Sequence, residues 1–192
     1  MNKIKKALCA ITAVIGLVTG GVAIDSTLAT GNVVIAGQSM GELKMSPAGL
    51  ALVGNAEGCR LDPYKCPAGE ATNGIGNTHG VPNRPISLEQ VAKDWVRNIQ
   101  SAEQCLDRVA PPDKAMTQGQ HDAFTSFIFN TGCTRFTTNR NGTQTKIASL
   151  IKQGKYQQAC GQLKRWVYAG GEKLRGLEIR RGDEYDRCMA LD

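Results

Sequence analysis

Residues 59–82 place Pro63, Pro67, Gly69, Gly74, Gly76, Gly80 and Pro82 within one stretch. Proline removes a backbone donor and glycine is a poor helix former, so no helix runs through this segment. Asn and Thr fill the gaps, and the composition suits short strands joined by turns. On either side the apolar spacing is helical. Ser46-Pro47 is a helix start, with Ser as N-cap and Pro in the first turn. Leu50, Val53 and Gly54 follow on one face, and Glu57 falls at the helix end. Ser87 and Gln90 have capping-box spacing, and Val91, Trp95, Ile99, Ala102 and Leu106 recur at three- and four-residue intervals until Pro111-Pro112. Thr117 and Gln120 repeat the capping pattern ahead of Ala123, Phe124, Phe127 and Ile128, and Gly132 stands at the C-cap. Helical spacing resumes at Ile147-Leu150-Ile151 and Leu163-Val167, and again after Gly176. The expected class is α+β, a mainly helical domain with a small β lobe near its start.

The N-terminus reads differently. Lys3, Lys5 and Lys6 precede an uncharged run from Ala7 to Ile24. The lysines would stay in the cytoplasm and send the rest outward, and the run is long enough to span a bilayer. Thr12, Gly16, Thr19, Gly20 and Gly21 dilute its apolar residues, so it would lose less than a Leu-rich span on leaving the membrane. A conventional signal peptide cleaved after Ala23 or Ala29 is the alternative, although the run exceeds the usual apolar core of such peptides. Residues 25–45 lack sustained periodicity and contain Gly31, Gly37 and Gly41. They are expected to be a linker. The organisation anticipated is therefore an anchor at 1–24, a linker at 25–45 and a catalytic domain at 46–192.

A net charge of +6 with no block of basic residues gives nucleic acid no positive support as a partner. Seven cysteines in 192 residues, behind an export signal, favour an oxidising compartment. The odd number leaves at least one thiol outside intramolecular pairs. His79 and His121 are the only histidines, and neither sits in a protease-like motif. With no His-x-x-x-His and no Cys-x-x-Cys, no metal or other cofactor is expected.

The segment Glu57-(eight residues)-Cys66-(five residues)-Thr72 resembles the active-site segment of the phage-type lysozymes, glycoside hydrolase family 24, where the middle position is usually Asp. Gln120-His121-Asp122-Ala123-Phe124 through Asn130-Thr131-Gly132 is similar to that family's central helix. Trp166 to Gly171, Leu174-Arg175-Gly176-Leu177 and Arg180-Arg181-Gly182-Asp183-Glu184 are similar to its C-terminal signature. These segments come in the family's order across residues 46–188. The resemblance implies a lysozyme-like fold with a cleft between helical and β lobes, acting on peptidoglycan. It extends to the endolysins with a releasable signal-anchor helix and cysteine in place of aspartate.

Glycoside hydrolysis needs an acid for the leaving oxygen and a group opposite that activates water or stabilises positive charge. By the resemblance Glu57 is the acid. Leaving a helix end into a cleft, it can be held partly out of water, as a proton-donating carboxyl requires. Cys66 is expected to position or deprotonate the attacking water, helped by Lys65 or Arg60, while Thr72 holds that water by its hydroxyl. The plainer alternatives are a permanent Cys59–Cys66 disulfide and, for Thr72, simple strand propensity.

Within the resemblance the cysteines imply a switch. An anchored enzyme would carry Cys59–Cys66 and be silent. On release Cys9 would attack Cys59 and expel Cys66. Cys105 with Cys188 and Cys133 with Cys160 are expected as structural pairs. The implied partners are peptidoglycan and, through residues 7–24, the bacterial inner membrane. The implied state is a monomer, facing the periplasm and then released into it. A lytic transglycosylase of the same fold, or a non-catalytic tethered wall-binding module, are the rival functions.

Overall fold

The computed structural model describes residues 7–21, 25–66 and 69–191. Lys3, Lys5, Lys6, the end of the uncharged run with Ala23, and Pro67 and Ala68 lie outside the described residues. Eight helices and six short strands are formed among the described residues, and the class is α+β.

Helix α1 covers Ile11–Val18, with Val14 and Val18 buried. Strands β1 (Gly31–Ile35) and β2 (Gln38–Leu43) form an antiparallel hairpin. Its two-residue turn, Ala36-Gly37, has positive φ at both positions, the geometry that matches the twist of the flanking strands. The expected linker at 25–45 is therefore corrected: this stretch carries a folded hairpin whose Val33, Ile35 and Leu43, with Met45 beyond, enter the core. Only Val33 and Ile35 alternate in the first strand, and an irregularity between Val33 and Val34 interrupts the ladder, so the period-two signal is short. The globular body accordingly begins ahead of residue 46.

Helix α2 (Pro47–Glu57) starts at Ser46, whose side chain accepts from the Gly49 N–H, and ends at Gly58. Strands β3 (Arg60–Lys65) and β4 (Ala71–Gly74) form the small lobe anticipated from the Gly- and Pro-rich segment. The N-terminal segment joins this lobe: Leu8 pairs with Arg60, and the Leu61 N–H donates to the Ala7 carbonyl at 2.7 Å.

Helix α3 (Leu88–Asp107) is the longest element, about 30 Å at 1.5 Å per residue. Val91, Trp95 and Ile99 belong to one apolar core, shared with α1, the first hairpin and α2. Cys105 and Leu106 belong to a second core, shared with α4 (Gln118–Thr131), α5 (Cys133–Thr137), α6 (Lys146–Lys152), α7 (Tyr156–Leu163) and α8 (Arg175–Cys188). Thr117 and Gln120 form the capping box at α4 in full, whereas at α3 Ser87 caps alone and Gln90 turns to Asp94. The helical spacing through Leu163-Val167 stops at Leu163; β5 (Tyr168–Ala169) and β6 (Glu172–Lys173) form a hairpin after it. Gly170-Gly171 supply the positive φ of that turn.

The disulfides are Cys9–Cys59, Cys105–Cys133 and Cys160–Cys188. The expected Cys105–Cys188 and Cys133–Cys160 pairing is corrected. A disulfide needs Cα atoms roughly 4.4–6.8 Å apart, and the ends of α3 and α5 bring Cys105 to 5.9 Å from Cys133. Packing of α7 on α8 brings Cys160 to 5.8 Å from Cys188.

Candidate active site

Glu57 is the last residue of α2 and its side chain is 21% exposed. Its Oε1 receives a hydrogen bond from Arg180 Nη1 at 2.5 Å. Arg180 is itself fixed. Its Nε donates to Glu184 Oε1 at 3.1 Å and its Nη2 to the Ser126 carbonyl at 3.3 Å. Glu184 is fully buried and also accepts from the Ser126 hydroxyl. Arg180 is thus held against Glu57 by a second, buried carboxylate and a backbone carbonyl.

On the other side of the carboxyl lies Gly76, at φ +66°. A Cβ there would stand 3.0 Å from Glu57 Oε2. The turn after β4 can approach the acid only because this residue has no side chain. Asn73 and Asn77 lock that turn with a pair of backbone hydrogen bonds, and Asn98 of α3 donates to Asn77 Oδ1.

Thr72 lies in β4 opposite Tyr64 and is buried. Its hydroxyl donates to the Glu70 carbonyl at 3.1 Å, which leaves its oxygen lone pairs to accept from a water. Cys66 follows β3, half-buried, with its backbone N–H donating to Glu70 O and its carbonyl accepting from the Gly69 N–H. It stands outside the three disulfides. Since Cys59 is bonded to Cys9, the alternative of a permanent Cys59–Cys66 bridge does not hold in this structure.

Tyr64 ties these groups together. Burial pushes its phenol pKa up, the nearby Glu57 charge adds to that, Arg60 opposes it and Cys66 adds again. Arg60 stacks over the Tyr64 ring at 4.3 Å and bonds Asp62, so its charge serves the strand as well as the site.

A cavity of about 670 Å³ opens beside Glu57 and Arg180 and is also walled by Asn55, Asn130, Leu177 and Asp183. Cys66 and Thr72 are not part of that wall; Cys66 follows β3 and Thr72 lies in β4. The Glu57 carboxyl, at a helix end, thus lines a cavity, and the Cys66 thiol and Thr72 hydroxyl belong to the β3–β4 lobe.

Residues 54–184 match the family model described as phage lysozyme. The chain is 39% identical over 189 residues to the SAR-endolysin of Escherichia phage P1, covering 95% of this chain and 91% of that one. It belongs to the phage lysozyme family. The SAR-endolysin of Haemophilus phage HP1 is 38% identical over 152 residues, 76% of this chain and 81% of the relative. The crystal structure of the active form of P1 phage endolysin Lyz superposes with a TM-score of 0.77 at 37% identity, over 96% of both chains. The secreted inactive form of that protein reaches only 0.50, over 76% of this chain and 95% of the other. The arrangement seen here is thus the one that resembles the active form.

Membership makes the protein a glycoside hydrolase of the lysozyme type. It also shows what residue-by-residue reading missed. Arg180 and Glu184 stood within the C-terminal signature, but nothing in their spacing said that Arg180 reaches Glu57, some 120 residues earlier, or that Glu184 holds Arg180 there. On so hydrophilic a helix their residue types left no signal; the structure shows that Arg180, Arg181 and Glu184 of α8 are all buried. Tyr64 left no signal beyond its place between Glu57 and Cys66.

Proposed function

We propose that this endolysin is a muramidase cutting the β-1,4 bond between N-acetylmuramic acid and N-acetylglucosamine, and that a thiol switch controls it. Glu57 protonates the leaving oxygen, with Arg180 holding the carboxyl in place. Cys66 and Thr72, on the opposite lobe, position the attacking water, with Thr72 as an acceptor for one of its hydrogens. Cys66 takes up or shares the other.

The observation that carries the switch is the Cys9–Cys59 bond, which joins the N-terminal segment to the cysteine two residues after Glu57. A resting form would hold Cys59–Cys66 while residues 7–24 span the host inner membrane, with the catalytic lobe in the periplasm. No helix among the described residues is long and apolar enough to cross a membrane, and α1 is eight residues long and packed on α2. The spanning stage therefore concerns a different state of residues 7–24. On release the Cys9 thiolate attacks Cys59 Sγ. The Cys59–Cys66 bond breaks, Cys66 leaves as thiolate, and the Cys9–Cys59 bond forms with no net oxidation. Pairing of residues 7–9 with β3 brings Cys9 alongside Cys59, supporting that exchange.

Muropeptide analysis of digested cell wall tests the reading. The protein should release reducing muramic ends, and Glu57→Gln should release none. Cys9→Ser should stay inactive after release from the membrane and regain activity with a thiol reductant. Cleavage by Glu57→Gln would overturn the acid, full activity of Cys9→Ser without reductant would overturn the switch, and anhydro-muramic products would mark a transglycosylase instead.

A further inference from the structure

Arg181, next to the residue that holds the acid, is 1% exposed and has no contact with Glu57 by hydrogen bond. Its guanidinium lies over the Phe127 ring at 4.7 Å. Nη1 donates to Glu184 Oε2 and Nη2 donates to Asn130 Oδ1. Arginine carries only donors, so the atom of Asn130 that faces it must be the carboxamide oxygen. That fixes the amide: its NH2 end is turned away from Arg181. Among the described residues no group accepts from Asn130 Nδ2. Asn130 lies exposed near the end of α4, in the wall of the same cavity as Glu57.

We infer that Asn130 is a substrate-binding donor, and that Arg181 is a positioning residue which holds it in the donor orientation toward an acetamido carbonyl of an N-acetylated sugar. This rests on the muramidase reading for the class of substrate. A sugar hydroxyl can donate or accept and would pair with either end of a freely turning amide. A carbonyl only accepts, so a locked NH2 end selects it. The same buried Glu184 takes Arg180 on one oxygen and Arg181 on the other. One carboxylate thereby sets both the acid and the donor.

Binding of the N-acetylglucosamine tetramer by calorimetry tests this in the full chain. Asn130→Asp keeps an oxygen for Arg181 but loses the donor; Asn130→Ala loses both. Each should weaken tetramer affinity about tenfold and raise KM on peptidoglycan with kcat within about twofold. The thermal midpoint should stay near that of the parent protein, because the side chain is exposed. Arg181→Lys cannot bridge Glu184 and Asn130 together, so it should weaken affinity several-fold. Adding Asn130→Ala to it should then cost less than the single substitution does in the parent protein. Affinity of Asn130→Asp or Asn130→Ala within twofold of the parent would overturn the donor. Full additivity with Arg181→Lys would overturn the positioning role. Absence of reducing muramic ends from the unmutated protein would instead sink the muramidase reading, and the tetramer affinities would still judge Asn130.

Discussion

Glu57 is placed by contacts on opposite sides, an ion pair with Arg180 and a backbone turn at Gly76, and the second depends on a missing atom. Gly76→Ala would put a methyl 3.0 Å from Glu57 Oε2 and force a left-handed φ on a residue with a side chain. The conformation alone costs about 1–2 kcal/mol. On the proposed role of Glu57 as the acid, the larger effect falls on catalysis, since displacing a reacting group by about 1 Å can cost on the order of a hundredfold in rate. Gly76→Ala is therefore expected to keep its fold with a modestly lowered thermal midpoint and to lose far more activity than stability. Parent-like activity would show that the acid does not need this close approach. A Cβ at Gly58, also at positive φ, would meet nothing within 4 Å. Gly58→Ala should carry the conformational cost without the loss of activity.

Helix α1 docks on α2 through another missing atom. A Cβ at Gly54 would lie 2.5 Å from Ile11 Cγ2. The contact joins the N-terminal helix to the helix that ends in Glu57, one turn before the acid. Overpacking of this kind costs about 1–3 kcal/mol. Gly54→Ala is expected to lower the unfolding free energy by that amount, and Ile11→Ala, which removes the atom it meets, should restore most of it. A double-mutant cycle in denaturant measures the coupling; additive effects would mean that the two helices do not share this contact. Such docking was not legible in the sequence, where residues 7–24 read as one uncharged run. An amphipathic pattern would have pointed to a core-facing helix, and eight residues are too few to display one. The long helices were legible because α3 repeats its apolar stripe over five turns and α4 carries a full capping box. The cysteine pairing was illegible for a different reason. Cys105–Cys133 and Cys160–Cys188 each span the same sequence separation, 28 residues, and depend on how α3 meets α5 and α7 meets α8. The site divided in the same way. Glu57, Cys66 and Thr72 stand close in sequence, whereas Arg180 and Asn130 reach the cavity only through packing of α4 on α8.

Where the two cores meet, the connection between β2 and α2 is held by buried acids from two different helices. Glu103 of α3 accepts from the Met45 N–H, and Asp122 of α4 accepts from Ser46 and from Arg187. Burial pushes the Glu103 pKa up to about 7, against the pull of the Met45 and Lys44 N–H groups and the Lys44 charge, with Asp107 adding to the rise. An acid whose folded value lies above its unfolded value binds its proton more tightly in the native state. The stability this gives is fully present below the unfolded value of about 4.5 and is lost as pH rises through about 7. At 1.36 kcal/mol per unit, the loss approaches about 3 kcal/mol at pH 8. His121, on α4, works in the opposite direction. Burial lowers its pKa, so its neutral ring favours the folded state above the usual histidine range and that contribution is lost on acidification. The two groups bound the stable range from either side. Glu103→Gln keeps an acceptor for Met45 without the charge. Its stability relative to the parent should rise steadily from pH 4 to pH 8 and level off above that, while the acid limb, where His121 acts, stays as it was. Urea unfolding at pH 4, 6 and 8 measures both limbs. A constant difference across that range would place the Glu103 proton elsewhere, and a parent protein with the same stability at pH 4, 6 and 8 would show that the junction between the cores carries no titration.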